Sequence, residues 1–294
     1  MDLPFIDVVV PTFNRAGMLE RVIQSLAAQS YPLGSYRIIA VDDGSVDETW
    51  SVLQETAKRH SNLRVCRIAH AGSYAARNRG WQEGRGDIVA FTDDDCVADR
   101  DWLTAIAGAF TAHPEALGVQ GKSVTLLHLV TPLTHQIVVH GPNTLYHTCN
   151  IAYRRKALLA VGGFDEEVTL YSGDSQMGAA VSALGPIVFS PKIVIIHPPR
   201  PRVFLGREEW IQRLSEAFRL YRRYPDFYRR NRGSHFLLVV TFRWLLGSTM
   251  KEVLVHLPWL LRDPILYVKF LVRLLRERAN LTAVLPGFWR EHRA

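Results

Sequence analysis

Three consecutive carboxylates, Asp93-Asp94-Asp95, follow the apolar run that ends at Phe91. Ionised side chains this close repel and raise one another's pKa. A divalent cation relieves the repulsion, and hard oxygen ligands suit Mg2+ or Mn2+. The alternative for the triplet alone is a solvated acidic turn in which Asp95 caps a helix. A second acidic pair, Asp42-Asp43, ends another apolar run just before Gly44-Ser45.

These acids need elements to position them. Ile6–Val10 is a short apolar run ending at Pro11, and it reads as a buried strand. Asn14 can cap the next helix, where Leu19, Val22, Ile23 and Leu26 recur at helical spacing. Tyr36–Val41 reads as a strand, and Ser45-Val46-Asp47-Glu48 as a capping box opening a helix to about His60. Strand Leu63–Ile68, a helix near Tyr74–Gln82 and strand Asp87–Phe91 follow. Strands alternating with helices imply parallel β/α units, whose ligands bind outside the carboxyl ends of the strands. Both acidic clusters sit at such ends.

Farther on, Leu117–Val124 and Ile187–Ile196 read as strands, and Asp174 heads a helix with Met177, Val181 and Leu184 on one face. Pro198, Pro199 and Pro201 form a rigid link. Beyond it, Asp263 is placed to cap a helix starting at Pro264, along which Lys269, Arg273 and Arg276 line up.

At 294 residues, with 48% hydrophobic and 21% charged, the chain is outside the disordered, collagen-like and disulfide-rich classes. Cys66, Cys96 and Cys149 are scattered, without the spacing of a zinc site, which fits a reducing compartment. The opening MDLPFIDVVV has no basic region of a signal peptide. No run offers about 20 clean apolar residues for a membrane span. Residues 1–197 carry 16 Lys+Arg against 20 Asp+Glu, and residues 198–294 carry 19 against 8. A mildly acidic body with a strongly basic tail points to two jobs.

Five short stretches, in order, resemble the family 2 glycosyltransferases of GT-A fold. Val9-Val10-Pro11-Thr12-Phe13-Asn14-Arg15 is similar to the family's first-strand signature, and Val41-Asp42-Asp43-Gly44-Ser45 to its second. Ala75-Ala76-Arg77-Asn78-Arg79-Gly80 resembles its ARN-G element, Asp93-Asp94-Asp95 its DxD metal motif, and Gly162-Gly163-Phe164-Asp165-Glu166 its acceptor-side loop. The resemblance covers roughly residues 4–200. It implies an α/β nucleotide-sugar-binding fold, a mixed, mainly parallel sheet flanked by helices. The expected division is a catalytic domain over residues 1–200 and a basic amphipathic helical extension over 201–294.

The resemblance also implies roles. Pro11, Thr12 and Arg15 would flank the nucleotide, and Asp42 would accept a base N–H or form the turn with Gly44. Arg77 would approach the diphosphate or pair with a neighbouring carboxylate. Asp93 would face the ribose, Asp94 belongs to the same donor-side run, and Asp95 would hold the metal with His197. Asp174 matches the family's catalytic base and also suits a helix N-cap, with Asp165 and Glu166 as the fallback bases. Gly173 stands where the family has Glu. Gly163, Phe164, Asp165 and Glu166 would face the acceptor; Asn150 would lie near the sugar or satisfy buried backbone groups.

The implied activity is metal-dependent, inverting transfer of a sugar from a nucleoside diphosphate to a hydroxyl, on a lipid-linked acceptor or a growing glycan. A processive synthase would carry Gln-x-x-Arg-Trp, which is not found, so a single transfer is expected. A nucleotidyltransferase would need a Gly-rich phosphate loop that Pro11–Gly17 does not supply. The rival is a catalytically degenerate module that holds a nucleotide sugar or carbohydrate. The tail reads as a surface for anionic membranes or as a helical cap on the core; with no recognition module, nucleic acid is not expected. The location that follows is cytoplasmic, with peripheral attachment to the inner face of the cell membrane as the further option.

Overall fold

The computed structural model describes residues 3–168, 172–232, 236 and 239–291. The chain divides into two compact units, one of Met1–Leu126, Ile137–Thr169 and Gly173–Pro198, the other of Leu127–Gln136, Leu170–Ser172 and Pro199–Ala294.

An eight-stranded sheet organises the first unit. Strands β1 (Ile6–Thr12), β2 (Tyr36–Asp42), β3 (Leu63–Arg67) and β4 (Ile88–Phe91) are linked by helices α1 (Ala16–Ala27), α2 (Thr49–Arg59) and α3 (Ser73–Glu83). Then come β5 (Val97–Ala98), α4 (Trp102–Ala112), β6 (Gly118–Val124), β7 (Thr134–His135, in the second unit), β8 (Ile151–Arg154), α5 (Arg155–Val161), α6 (Gly173–Leu184) and β9 (Ile187–Ile196). The order across the sheet is β3-β2-β1-β4-β8-β6-β9-β5. β1 pairs in parallel with β2 and β4, β2 with β3, and β6 with β9. β8 runs antiparallel between β4 and β6, and β5 runs antiparallel to β9.

Apolar runs such as Val8-Val9-Val10 are buried because helices cover both faces of the sheet. On one face Leu19, Val22, Ile23 and Leu26 of α1 pack with Trp102, Ile106 and Phe110 of α4. On the other, Phe91, Ile151 and Tyr153 meet Leu158, Met177 and Val181. Leu184, expected on the same face of α6, is exposed instead.

The alternation of direction explains the sheet's chemistry. Phe91 at the end of β4 pairs with Ile151 at the start of β8, and Ile196 at the end of β9 pairs with Val97 at the start of β5. The residues just before β8 and β5 therefore stand at the same edge as those just after β1, β2, β4 and β9. Thr12, Asp42, Asp93–Asp95, Thr148 and His197 share that edge.

Two expected caps form differently. Asn14 makes no cap on α1; its carboxamide accepts the Val46 amide at 2.9 Å, and the Ser45 hydroxyl accepts the Asn14 amide at 2.8 Å. The two residues expected to start separate helices instead tie the β1 and β2 loops together. α2 starts at Thr49, whose amide donates to Asp47 at 3.0 Å.

The second unit holds helices Arg207–Arg223, Pro225–Arg232, Ser248–His256, Trp259–Arg262 and Pro264–Glu291. Asp263 caps the last of these, accepting the Leu266 amide at 2.9 Å. Tyr267, Phe270 and Leu274 pack with Leu133, Phe204 and Val253. The opposite side of the same helix exposes Ile265, Val268, Val272 and Leu275, beside exposed Lys269, Arg273 and Arg276. The tail also carries the apolar stretches Phe236–Phe242 and Val253–Leu261. In the second, Leu254, Val255, Leu257, Leu260 and Leu261 are likewise exposed; the first lies partly outside the described residues. Among the described residues no helix is long and apolar enough to cross a membrane.

Within this unit Glu252 accepts from Arg202 at 2.7 Å and lies 3.5 Å from His256. The His256 contact, ahead of Arg202, holds its carboxyl down from 4.5 to about 2 against the opposing effect of burial. A depressed carboxyl adds stability above its unfolded value and loses it as pH falls through the folded one. Glu252→Gln is therefore expected to cost roughly 1–2 kcal/mol near neutral pH, with the gap to the native protein closing between about pH 4.5 and 2. Urea unfolding across that range tests this; a gap that does not change with pH refutes it.

Candidate active site

His197 follows β9 and is almost fully buried. Its Nδ1 faces the Pro198 carbonyl at 2.9 Å. A carbonyl only accepts, so Nδ1 carries a proton and Nε2 is the nitrogen turned to the acidic run. That Nε2 is buried without a hydrogen bond and lies 3.9 Å from Oδ1 of Asp95. An imidazole nitrogen and a carboxylate oxygen set at this distance can take a cation between them. The gap is about twice a usual bond of 2.0–2.2 Å from a nitrogen or oxygen ligand to a divalent ion. Ligand atoms of Asp93, Asp95, Cys96 and His197 all lie within 4.8 Å of one another. Burial first, then contact with Cys149, pushes the Cys96 thiol well up, so it stays protonated. What remains is a carboxylate and imidazole set, which suits Mn2+ or Mg2+. The residues fit a divalent cation.

The rest of the acidic run is tied to α3 and to the end of β1. Arg77 of α3 is buried and donates to Asp93 at 2.7 Å, the carboxylate-pairing alternative for this arginine. Asp94 is raised to about 6, chiefly by burial, with the Asp93 and Asp95 charges adding and Thr12 and Arg15 opposing. Pro11 and Thr12 end β1 and are buried; Arg15, half-buried, donates its amide to the Thr49 hydroxyl at 2.8 Å.

Asp42 is fully buried. One oxygen accepts the Ser45 amide at 3.1 Å, and the other meets Nε of Arg67 at 3.0 Å. Arg67 also donates to the Ser45 carbonyl at 2.6 Å and lies over the Trp50 ring. Arg67 escapes a reading by motif, yet it ends β3 in register with Asp42. Asp43 organises the loop after β3, accepting the amides of Ala71 and Gly72 at 2.8 and 2.9 Å and contacting His70 at 2.9 Å. His70 stacks on Phe13 at 4.2 Å.

Across the same edge, Asp174 sits in the first turn of α6. It accepts the Thr148 amide at 3.0 Å and the Thr148 hydroxyl at 3.2 Å. Thr148 belongs to the stretch before β8, so the carboxylate is held from outside its own helix. His147, next to Thr148, is driven down by burial, while the charges of Asp174 and Asp93 pull it up and His197 pushes it down.

The Gly162–Glu166 loop, expected on the acceptor side, is pinned by Asn78 of α3, a residue that the motif contains but that sequence reasoning gave no task. Its carboxamide accepts the Phe164 amide at 2.8 Å and donates to the Phe164 carbonyl at 2.9 Å and to Glu166 at 2.7 Å. Phe164 is buried, while Asp165 is half-buried and Glu166 exposed. Gly163 has φ +83°, and a Cβ there would come 2.5 Å from the Asn78 carboxamide oxygen. Gly163→Ala is accordingly expected to cost about 2 kcal/mol, from the left-handed backbone and the contact combined. Chemical denaturation tests this, and unchanged stability refutes it.

Asn150 does not line the crevice through a spare polar atom. It accepts from Trp102 at 2.9 Å and donates to the carbonyls of Lys122 and Ile193 at 2.9 and 3.1 Å, satisfying buried backbone between strands.

Known proteins resemble this chain in sequence and in fold. The profile of Glycosyl transferase family 2 matches residues 7–162. Glycosyltransferase AglE of Haloferax volcanii is 26% identical over 211 residues, 68% of this chain and 68% of that protein. The pre-mycofactocin glycosyltransferase of Mycobacterium tuberculosis is 28% identical over 243 residues, 75% of this chain but only 48% of that protein. The alignments thus span about two thirds of one relative and half of the other. Among solved structures, mannosyltransferase PcManGT from Pyrobaculum calidifontis in complex with GDP-Man and Mn2+ superposes with a TM-score of 0.66 at 19% identity, covering 98% of this chain and 88% of that one. S. aureus TarS 1-349 in complex with UDP-GlcNAc gives 0.62 at 17% identity, covering 96% and 92%. The chain belongs to glycosyl transferase family 2, and its sheet and flanking helices are the GT-A glycosyltransferase fold.

Proposed function

We propose that this protein transfers one sugar per encounter from a nucleoside-diphosphate donor to a hydroxyl acceptor, with inversion and with a divalent cation, Mn2+ or Mg2+. The observation that carries the reading is the pairing, along one sheet edge, of a buried His197 Nε2 facing Asp95 with a carboxylate, Asp174, held by another segment. Asp95 and His197 would hold the cation, with Asp93 alongside. When bound, it would neutralise charge on the departing diphosphate.

The chain's own residues supply the rest. Pro11, Thr12, Arg15 and Asp42 orient the nucleoside, and Arg77 holds Asp93 in place while adding positive charge near the phosphates. Asp174 takes the proton of the acceptor hydroxyl as that oxygen bonds to the anomeric carbon and the carbon–diphosphate bond breaks, its electron pair leaving on the diphosphate. One displacement inverts the anomeric centre and needs no protein nucleophile.

A thermal-shift screen with UDP-, GDP- and dTDP-sugars, with and without Mn2+, tests the donor reading. A bound donor raises the melting temperature by mass action, and no shift with any of them refutes it. The presence of Gly173 where the family has Glu favours a second reading, a degenerate module. Tight donor binding with no release of nucleoside diphosphate would select that one.

A lipid-linked acceptor is supported by the second unit, where an exposed apolar row lies beside Lys269, Arg273 and Arg276. Apolar burial plus charge attraction binds such surfaces to anionic bilayers. Flotation with phosphatidylserine vesicles at low salt tests it; a protein left wholly in the soluble fraction rules out membrane attachment.

A further inference from the structure

Residue 173 opens α6, immediately before Asp174. Its φ is not in the left-handed region, so glycine is required here by space and not by backbone. A Cβ would lie 2.2 Å from Cζ of Tyr74 and 2.4 and 2.8 Å from the two flanking ring carbons. Cζ is the carbon that bears the hydroxyl. The phenol end of Tyr74 is therefore wedged against the start of α6, in the volume that any side chain at 173 would claim.

The ring is held from other sides as well. It stacks on Phe164 of the acceptor-side loop at 5.5 Å, and the Arg77 guanidinium lies over it at 5.5 Å. Tyr74 is buried, and its hydroxyl end lies beside Asp174. A buried phenol needs a polar partner. Burial first, then the Asp174 charge, pushes the Tyr74 phenol well above its ordinary value, so it remains a donor in neutral solution.

A carboxylate offers about four acceptor positions. The Thr148 amide and hydroxyl take two and Tyr74 is placed to take a third, which would leave one for an incoming donor. We infer that Tyr74 is a positioning residue for the reaction: seated on the bare α-carbon of Gly173, its hydroxyl fixes the Asp174 carboxylate so that the position left over points at the acceptor. The inference rests on the reading of Asp174 as the base.

The test is Mn2+-dependent release of nucleoside diphosphate from UDP-GlcNAc and GDP-mannose by the full chain, with water as the acceptor. Tyr74→Phe keeps the ring and removes only the hydroxyl. It is expected to lower kcat about 10- to 100-fold, the loss of a hydrogen bond to a charged group. The donor KM is expected to stay within about twofold, since the lost contact is not to the donor. Gly173→Ala, which displaces the ring, is expected to lower kcat similarly, and the double variant to be no worse than the poorer single one.

If Asp174→Asn is inactive while Tyr74→Phe keeps native kcat and KM, the inference falls and the base reading stands. If Asp174→Asn is as active as the native protein, or the native protein releases nothing from either donor, both fall. A Tyr74→Phe defect confined to melting temperature or donor KM would mark a structural role and overturn the inference.

Discussion

Asp174→Asn is expected to reduce sugar transfer by about 10²- to 10⁴-fold, the usual contribution of a positioned general base, while leaving donor binding intact. The substitution preserves volume, and a carboxamide oxygen can still accept from the Thr148 amide. What it removes is the capacity to take a proton. The measurement is a pair of readings on one preparation: the rate of nucleoside diphosphate release, and the donor-induced rise in melting temperature. Loss of the first with retention of the second is the signature of a missing base. Loss of both would mean that residue 174 holds the donor loop and that the proton goes elsewhere. Asp165 and Glu166, which are more exposed, are then the next candidates.

Asp95→Asn is expected to be comparably severe, about 10³-fold in turnover, because charge stabilisation on a leaving group is often worth several kcal/mol. Its readout differs. Calorimetric titration with Mn2+ alone should show binding to the native protein and little or none to the variant, and His197→Ala should behave likewise. The two residues present their ligand atoms to each other across 3.9 Å, so either loss leaves the opposite side with a single good ligand. A native protein that binds no Mn2+ and keeps its turnover in EDTA would refute the metal reading and leave Asp174 untouched. The two experiments therefore separate the two halves of the site.

Much of this was legible in the sequence, for physical reasons. Continuous apolar runs make buried strands plain, so Ile6–Val10, Tyr36–Val41 and Ile187–Ile196 lie within the observed strands. Acidic residues placed just after such runs mark the sheet edge. β5 and β8 were not legible. They have two and four residues, too few to show a period, and their pairing is decided by neighbours far along the chain. Asn14 and Ser45 carry good capping chemistry, yet each serves the other's loop across the β1–β2 pair, a choice that only tertiary contact makes. Thr148 and Tyr74 are ordinary residue types without a motif. Their importance comes from the approach of α6, which no local pattern encodes.

The two-rung ladder between β5 and β9 has a wider consequence. Val97 faces Ile196 and Ala98 faces Ile195, so the strand register brings the neighbouring Asp95 and His197 side by side. The connecting loops that carry neither sheet strands nor the Thr148–Asp174 contact can change length while the span from one segment to the other is kept. On the proposed metal reading, such a clamp would let those loops vary in what they recognise without disturbing the pair that would hold the ion.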